Sequence, residues 1–145
     1  MKILIVAHPD DEAIWFAPET FDKIIIVFGD FGDGRSGDGR RKAVAEHPLA
    51  DRITHLNLTE SDFWRDATKR AQHENNYSKL CLYLHGLEAD EVVTHNAMGE
   101  YQHADHLLVH KACMAVLNCP VNGTNPVLYR AIRGVYEKHG CWTWH

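Results

Sequence analysis

Lys23-Ile24-Ile25-Ile26-Val27-Phe28 is the stretch on which the fold of this chain turns. An almost unbroken β-branched run of this length belongs to a strand covered on both faces, as strands are in parallel sheets. Further apolar-rich runs at Lys2–Val6, Ile53–Leu58, Glu91–Thr94 and residues 126–132 read as strands too. Helical stretches separate them, over residues 11–17, 40–47, 77–88 and 103–117. In the last of these, Leu107, Val109, Ala112, Met114, Ala115 and Val116 form a wide apolar stripe. The β-α alternation predicts one α/β domain over residues 1–145, with a mainly parallel sheet of about five strands.

The first strand runs directly into Ala7-His8-Pro9-Asp10-Asp11-Glu12. The fourth runs into Thr94-His95-Asn96-Ala97-Met98-Gly99-Glu100-Tyr101-Gln102-His103-Ala104-Asp105-His106. Open α/β sheets bind ligands at the carboxyl ends of their strands, so two His/Asp clusters placed there can face each other across one crevice. The spacing of His8 and Asp11 suits a loop entering a helix, and that of His103 and His106 suits one side of a first helical turn. Two His and one carboxylate leave a fourth position open, as in catalytic rather than structural zinc sites. His106 and His110 form a rival pair at i,i+4, and His95 is a further candidate ligand. Asp10 remains as a second carboxylate, where a general base for water is required.

Composition narrows the function classes. The apolar fraction of 45% and charged fraction of 24% are those of a globular chain. A formal charge of −5 with no compensating basic face argues against general nucleic-acid binding. The four Cys (Cys81, Cys113, Cys119 and Cys141) form no C-x-x-C pair, which favours free thiols in a reducing compartment over a structural zinc. No apolar stretch approaches the roughly 20 residues of a membrane span. The N-terminal apolar run is short and already carries the His/Asp motif, so no signal peptide is read. A cytoplasmic location is expected.

Residues 29–39 hold five Gly and follow the second strand, so this loop reaches the same rim as the two clusters. Gly34-x-x-x-x-Gly39 is followed by Arg40-Arg41 where a phosphate-binding loop carries Lys and Ser/Thr. The Asp spacing is not that of an EF-hand, and no Glu closes one. The loop is either a mobile connection or a device presenting Arg35, Arg40 or Arg41 to an oxygen-rich substrate. Residues 59–74, punctuated by Phe63 and Trp64, read as a lid or an irregular helix.

The two clusters closely resemble those of the N-acetylglucosaminyl-phosphatidylinositol de-N-acetylase family, the PIG-L or LmbE-like deacetylases. Residues 7–12 match that family's A-H-P-D-D-E motif in full, and His103-Ala104-Asp105-His106 matches its H-x-D-H motif. Thr94-His95-Asn96 and Gly99-Glu100-Tyr101 look like one branch of it. The resemblance covers about the first 117 residues. It implies a Rossmann-like three-layer sandwich, here a short version of the LmbE-like fold. It also implies Zn2+, or another divalent metal, held by His8, Asp11 and His106. Asp10 is then the general base, and His103 stabilises the oxyanion or protonates the leaving amine. Asp105 orients the His103 ring, and Tyr101 falls where some members place a transition-state hydroxyl donor. Ala13-Ile14-Trp15-Phe16-Ala17-Pro18 departs from the small Gly-rich segment common in the family, and the chain is shorter than most members.

The expected activity is removal of an acetyl group from the nitrogen of an N-acetylglucosamine-type sugar, with Arg35, Arg40 and Arg41 meeting the sugar's hydroxyls. A metal-dependent amidase acting on a non-sugar amide is one alternative. A Rossmann-like module that binds a nucleotide or metabolite without chemistry is the other, and metal content separates it from the enzymes. The tail from Tyr136, with Trp142 and Trp144, either caps the sheet edge or offers an apolar platform to a sugar or to a neighbouring subunit of a homo-oligomer.

Overall fold

A computed structural model describes residues 1–123 and 130–142, and the side chains of all of these but 130 and 131. Strands β1 (Lys2–Val6), β2 (Lys23–Phe28), β3 (Ile53–Leu58) and β4 (Glu91–Thr94) fall where the apolar runs placed them. Strand β5 is Val121–Gly123. Of the strand expected over 126–132, residues 126–129 lie outside the described residues, and the remainder opens a helix, α6 (Arg130–Lys138). The reason is periodicity. Ile132, Val135 and Tyr136 repeat at i, i+3 and i+4 and pack together as one helical stripe.

The other helices are α1 (Asp11–Ile14), α2 (Asp38–Ala45), α3 (Arg70–His85), α4 (Gly99–Gln102) and α5 (Ala104–Val116). Helix α3 starts earlier than expected and absorbs the end of the 59–74 segment. Helix α1 is one turn long, because Trp15 closes it before a 3₁₀ turn that Pro18 opens.

All five strands are parallel, in the order β3-β2-β1-β4-β5. Ile3, Ile5, Ile25, Val27 and Val92 pack on one face against Leu80 and Leu84 of α3 and Leu108 and Val109 of α5. Leu4, Val6, Ile24, Ile26 and Val93 pack on the other against Ile14, Trp15, Phe16 and Phe21. Helix α6 lies over α1 and α2 through Ala13, Ala43, Ile132 and Tyr136. Helices on both faces of a parallel sheet make a Rossmann-like three-layer sandwich, and both-face burial accounts for the unbroken apolar run of β2. The strand order reverses between β1 and β4, which pair through Ile5 and Thr94. That reversal opens a crevice at their carboxyl ends. Among the described residues no helix is long and apolar enough to cross a membrane.

Candidate metal centre

The chain leaves β1 through a tight turn in which the Asp11 N–H donates to the His8 carbonyl at 3.1 Å. Pro9 takes the second position and Asp10 the third, at φ 100°, where a type II turn favours Gly or Asn. The turn folds the Asp11 carboxylate back, so that its Oδ2 accepts the His8 N–H at 2.8 Å. Glu12 anchors the turn from below. It accepts the Asp10 N–H at 3.0 Å, lies 3.1 Å from His47 Nε2, and receives the Tyr136 hydroxyl of α6.

On the other side of the crevice, the Ala7 N–H donates to His95 Nε2 at 2.9 Å. That bond places the His95 proton on Nδ1, which donates to Glu100 Oε1 at 2.5 Å. His106 Nδ1 meets the same oxygen at 3.1 Å. The two rings stack with centroids 3.9 Å apart and planes 11° from parallel. His106 is held there by the first turn of α5, whose N-cap is His103: the Asp105 N–H donates to His103 Nδ1 at 3.1 Å.

The two sides converge on Asp11. Its Oδ2 lies 3.3 Å from His8 Nδ1 and 3.2 Å from His106 Nε2. His8, Asp11 and His106 are all buried, with one donor atom from each within 4.8 Å of the others, a group able to hold a metal ion. His106 Nε2 makes no hydrogen bond. With Nδ1–H committed to Glu100, a neutral His106 aims a lone pair at a carboxylate oxygen, and only a proton or a cation between them relieves the repulsion. Without metal it is a proton: burial opposes the charge, but Asp11 and Glu100 raise the His106 pKa to about 9. Burial likewise opposes a charge on His8, yet Asp105 and Asp11 hold its pKa well above the usual imidazole value. Burial would raise Asp11, but His106 and His8 take it well below the usual carboxylate range. His8 and His106 hold protons against the Asp11 carboxylate where a divalent cation would lie, and one donor atom of each residue lies within 4.8 Å of the others, so the residues fit one.

The rival ligands resolve by their hydrogen bonds. His110 Nδ1 donates to the His95 carbonyl at 2.8 Å, so that ring braces the loop. His95 is also grouped with Glu100 and His106, but its Nε2 is already spent on Ala7.

The expected pairing of the Asp105 carboxylate with the His103 ring is replaced by another. Asp105 Oδ2 meets His8 Nε2 at 2.9 Å, because His103 turns Nδ1 to its own helix cap. His103 therefore carries its proton on Nε2. Burial and the neighbouring His8 and His106 charges push its pKa down to about 2, which keeps it a neutral donor. Burial and Asp11 raise the Tyr101 hydroxyl to about 12, so it too stays protonated.

A cavity of about 360 Å³ opens over this centre, walled by His8, Asp11, Tyr101, His103, Arg35 and Arg40 among others. Asp10 is fully buried and is not part of that wall. Arg40 donates to the Gly29 carbonyl at 2.9 Å and to Glu60 at 2.6 Å, while Glu60 also reaches His8 Nε2 at 3.2 Å. Burial opposes the Glu60 charge, but His8 and Arg40 hold its pKa at about 2. Arg35 is exposed at the rim and pairs with Asp33. Arg41 instead ties the loop together through Asp30 and Asp38 and does not line the cavity. Sequence reasoning passed over Glu60 and the place of Glu100 beneath both rings, and no local pattern marks Glu60. Of the tail, Gly140 and Cys141 reach the cavity wall, Trp142 packs partly buried against the core, and Trp144 lies outside the described residues. No protein-family model matches the chain.

Proposed function

We propose that the chain is a zinc-dependent de-N-acetylase of the PIG-L or LmbE-like kind, acting on the acetamide of an N-acetylglucosamine-type sugar or its conjugate. One observation carries the reading: His8, Asp11 and His106 converge at the switch point beneath a cavity, with one donor atom of each within 4.8 Å of the others. His8, Asp11 and His106 would hold a divalent metal, which would supply an acidified water and polarise the amide carbonyl. Asp10, beside Asp11 but buried behind the cavity wall, would turn toward the cavity to take the water's proton and return it to the departing amine. The neutral His103 Nε2–H and the Tyr101 hydroxyl donate to the oxygen that gains charge as the carbonyl becomes tetrahedral. Arg35 and Arg40 offer donors to sugar hydroxyls, and Trp64, 46% exposed beside His103, offers a ring face to the sugar's apolar side.

The test is metal analysis of the purified protein together with acetate release from a panel of N-acetylated sugars, free and nucleotide- or lipid-linked. About one zinc per chain and acetate from a sugar are expected. Metal with turnover only of non-sugar amides would reassign the substrate, and a protein that takes up no metal would end the hydrolase reading.

A further inference from the structure

Glu100 is among the acidic side chains of the site that have no role in the reaction just described. It sits in the distorted turn α4, between β4 and α5, with its carboxylate 2% exposed, and it accepts from two imidazoles through one oxygen. Its other oxygen accepts the Asn96 N–H at 3.0 Å. Asn96 in turn uses its side-chain oxygen to accept the N–H groups of Met98 at 2.9 Å and Glu100 at 3.1 Å. The Glu100 backbone lies at φ 58° and ψ −70°, a rare γ-turn conformation that costs free energy and survives only where the surroundings over-determine it. Gly99 before it, at φ +57°, packs so closely that a Cβ there would meet Leu107 Cγ at 2.8 Å. The chain is thus bent to bring this carboxylate under the two rings.

We propose that Glu100 is a positioning residue for the metal centre, fixing the tautomer and orientation of His106 so that Nε2 is presented to the cation, with His95 clamping the carboxylate in place. This rests on the reading of His106 as a metal ligand. The chemistry follows from the bonds. A carboxylate accepting from Nδ1–H pins the proton on that nitrogen, leaves the Nε2 lone pair free, and makes it a stronger donor to metal. His95 cannot itself be turned to the metal without stripping the Ala7 N–H of its acceptor. Its stacked ring instead stops Glu100 and His106 from swinging apart. The same device recurs across the crevice, where Asp105 accepts from His8. Both imidazole ligands therefore carry a carboxylate on the side away from Asp11 or beside it.

The experiment compares the full-length protein with Glu100→Gln, which keeps an acceptor oxygen and the side-chain length but removes the charge, and with Glu100→Ala. Zinc affinity is read by chelator competition, and folding by thermal melting of the metal-free proteins. Nuclear magnetic resonance of the metal-free proteins reads the imidazole N–H protons. We expect Glu100→Gln to melt near the parent temperature while zinc affinity falls about 10- to 100-fold, the usual effect of losing such a partner. Glu100→Ala should lose at least as much affinity. Two slowly exchanging, far-downfield imidazole N–H signals in the parent should move together in Glu100→Gln. Parent-like zinc affinity in Glu100→Gln would overturn the inference, as would downfield signals unmoved by the substitution. A parent protein that binds no zinc strikes instead at the metal reading itself, and the N–H signals still report whether Glu100 bridges the two rings.

Discussion

The two connections that build the site are held in opposite ways. Between β1 and α1 local backbone bonds do much of the holding: a Pro-led turn, an N–H from His8 to Asp11 and an N–H from Asp10 to Glu12 place the Asp11 and Glu12 carboxylates within five residues. Between β4 and α5 side chains do it, through Asn96, Glu100 and the stacked rings of His95 and His106. The first arrangement is written into adjacent residues, so a side chain there can change while the turn persists. The second is a chain of dependencies in which one carboxylate orients two rings.

The strongest way to break the comparison is to remove one metal ligand from each side. His8→Ala and His106→Ala should each fall from about one metal per chain toward none and lose activity, as metal analysis and turnover will show. Full occupancy in both variants would overturn the ligand set. Next come the paired carboxylates of the backbone-held turn. Asn tolerates a positive φ, so Asp10→Asn should keep fold and metal while activity falls roughly 10²–10⁴-fold. Asp11→Asn should instead weaken metal binding, and the opposite pattern would exchange the two roles.

Protonation tests both sides at once. In the metal-free protein the pKa of His106 is about 9 and that of His8 is also raised, so zinc must displace their protons. Apparent zinc affinity should therefore rise with pH across the neutral range and on to at least about 9, measured by competition with a chelator of known pH dependence. Affinity that stays flat across neutral pH would show that these imidazoles are not the ligands. The smallest effect sharpens the contrast. Gly99→Ala, at positive φ and against Leu107, should cost about 1–2 kcal/mol in melting experiments and also lower zinc affinity by shifting Glu100. Gly34→Ala, at φ +91° with nothing within 4 Å, should cost a similar amount and leave zinc affinity unchanged.

The same contrast governs what the sequence revealed. Strands β1 and β2 were legible because each is a contiguous apolar run buried on both faces, and the convergence of His8, Asp11 and His106 because they sit at strand and helix ends with helical or turn spacing. Helix α6 was missed because the β-branched look of 126–132 hid a stripe that only Ile132, Val135 and Tyr136 together display. Glu60 and its bond to His8 leave no trace in spacing, since 52 positions separate them. The partner of Asp105 was misjudged for a related reason. His103 lies only two residues before it, but capping uses up that ring's facing nitrogen and leaves the carboxylate to His8.

The position of β1 in the sheet has a consequence for how the chain reaches this state. His8 and Asp11 emerge before His106, which follows almost a hundred residues later and reaches them only when β4 settles against β1. Contacts this distant in sequence form slowly, after the intervening loop has been closed. Until then the nascent chain carries half of the proposed metal site, and if the three residues hold zinc as proposed, its capture marks the moment the two halves meet. A refolding experiment with a zinc-sensitive dye would thus time the docking of β4 directly, without any probe attached to the protein.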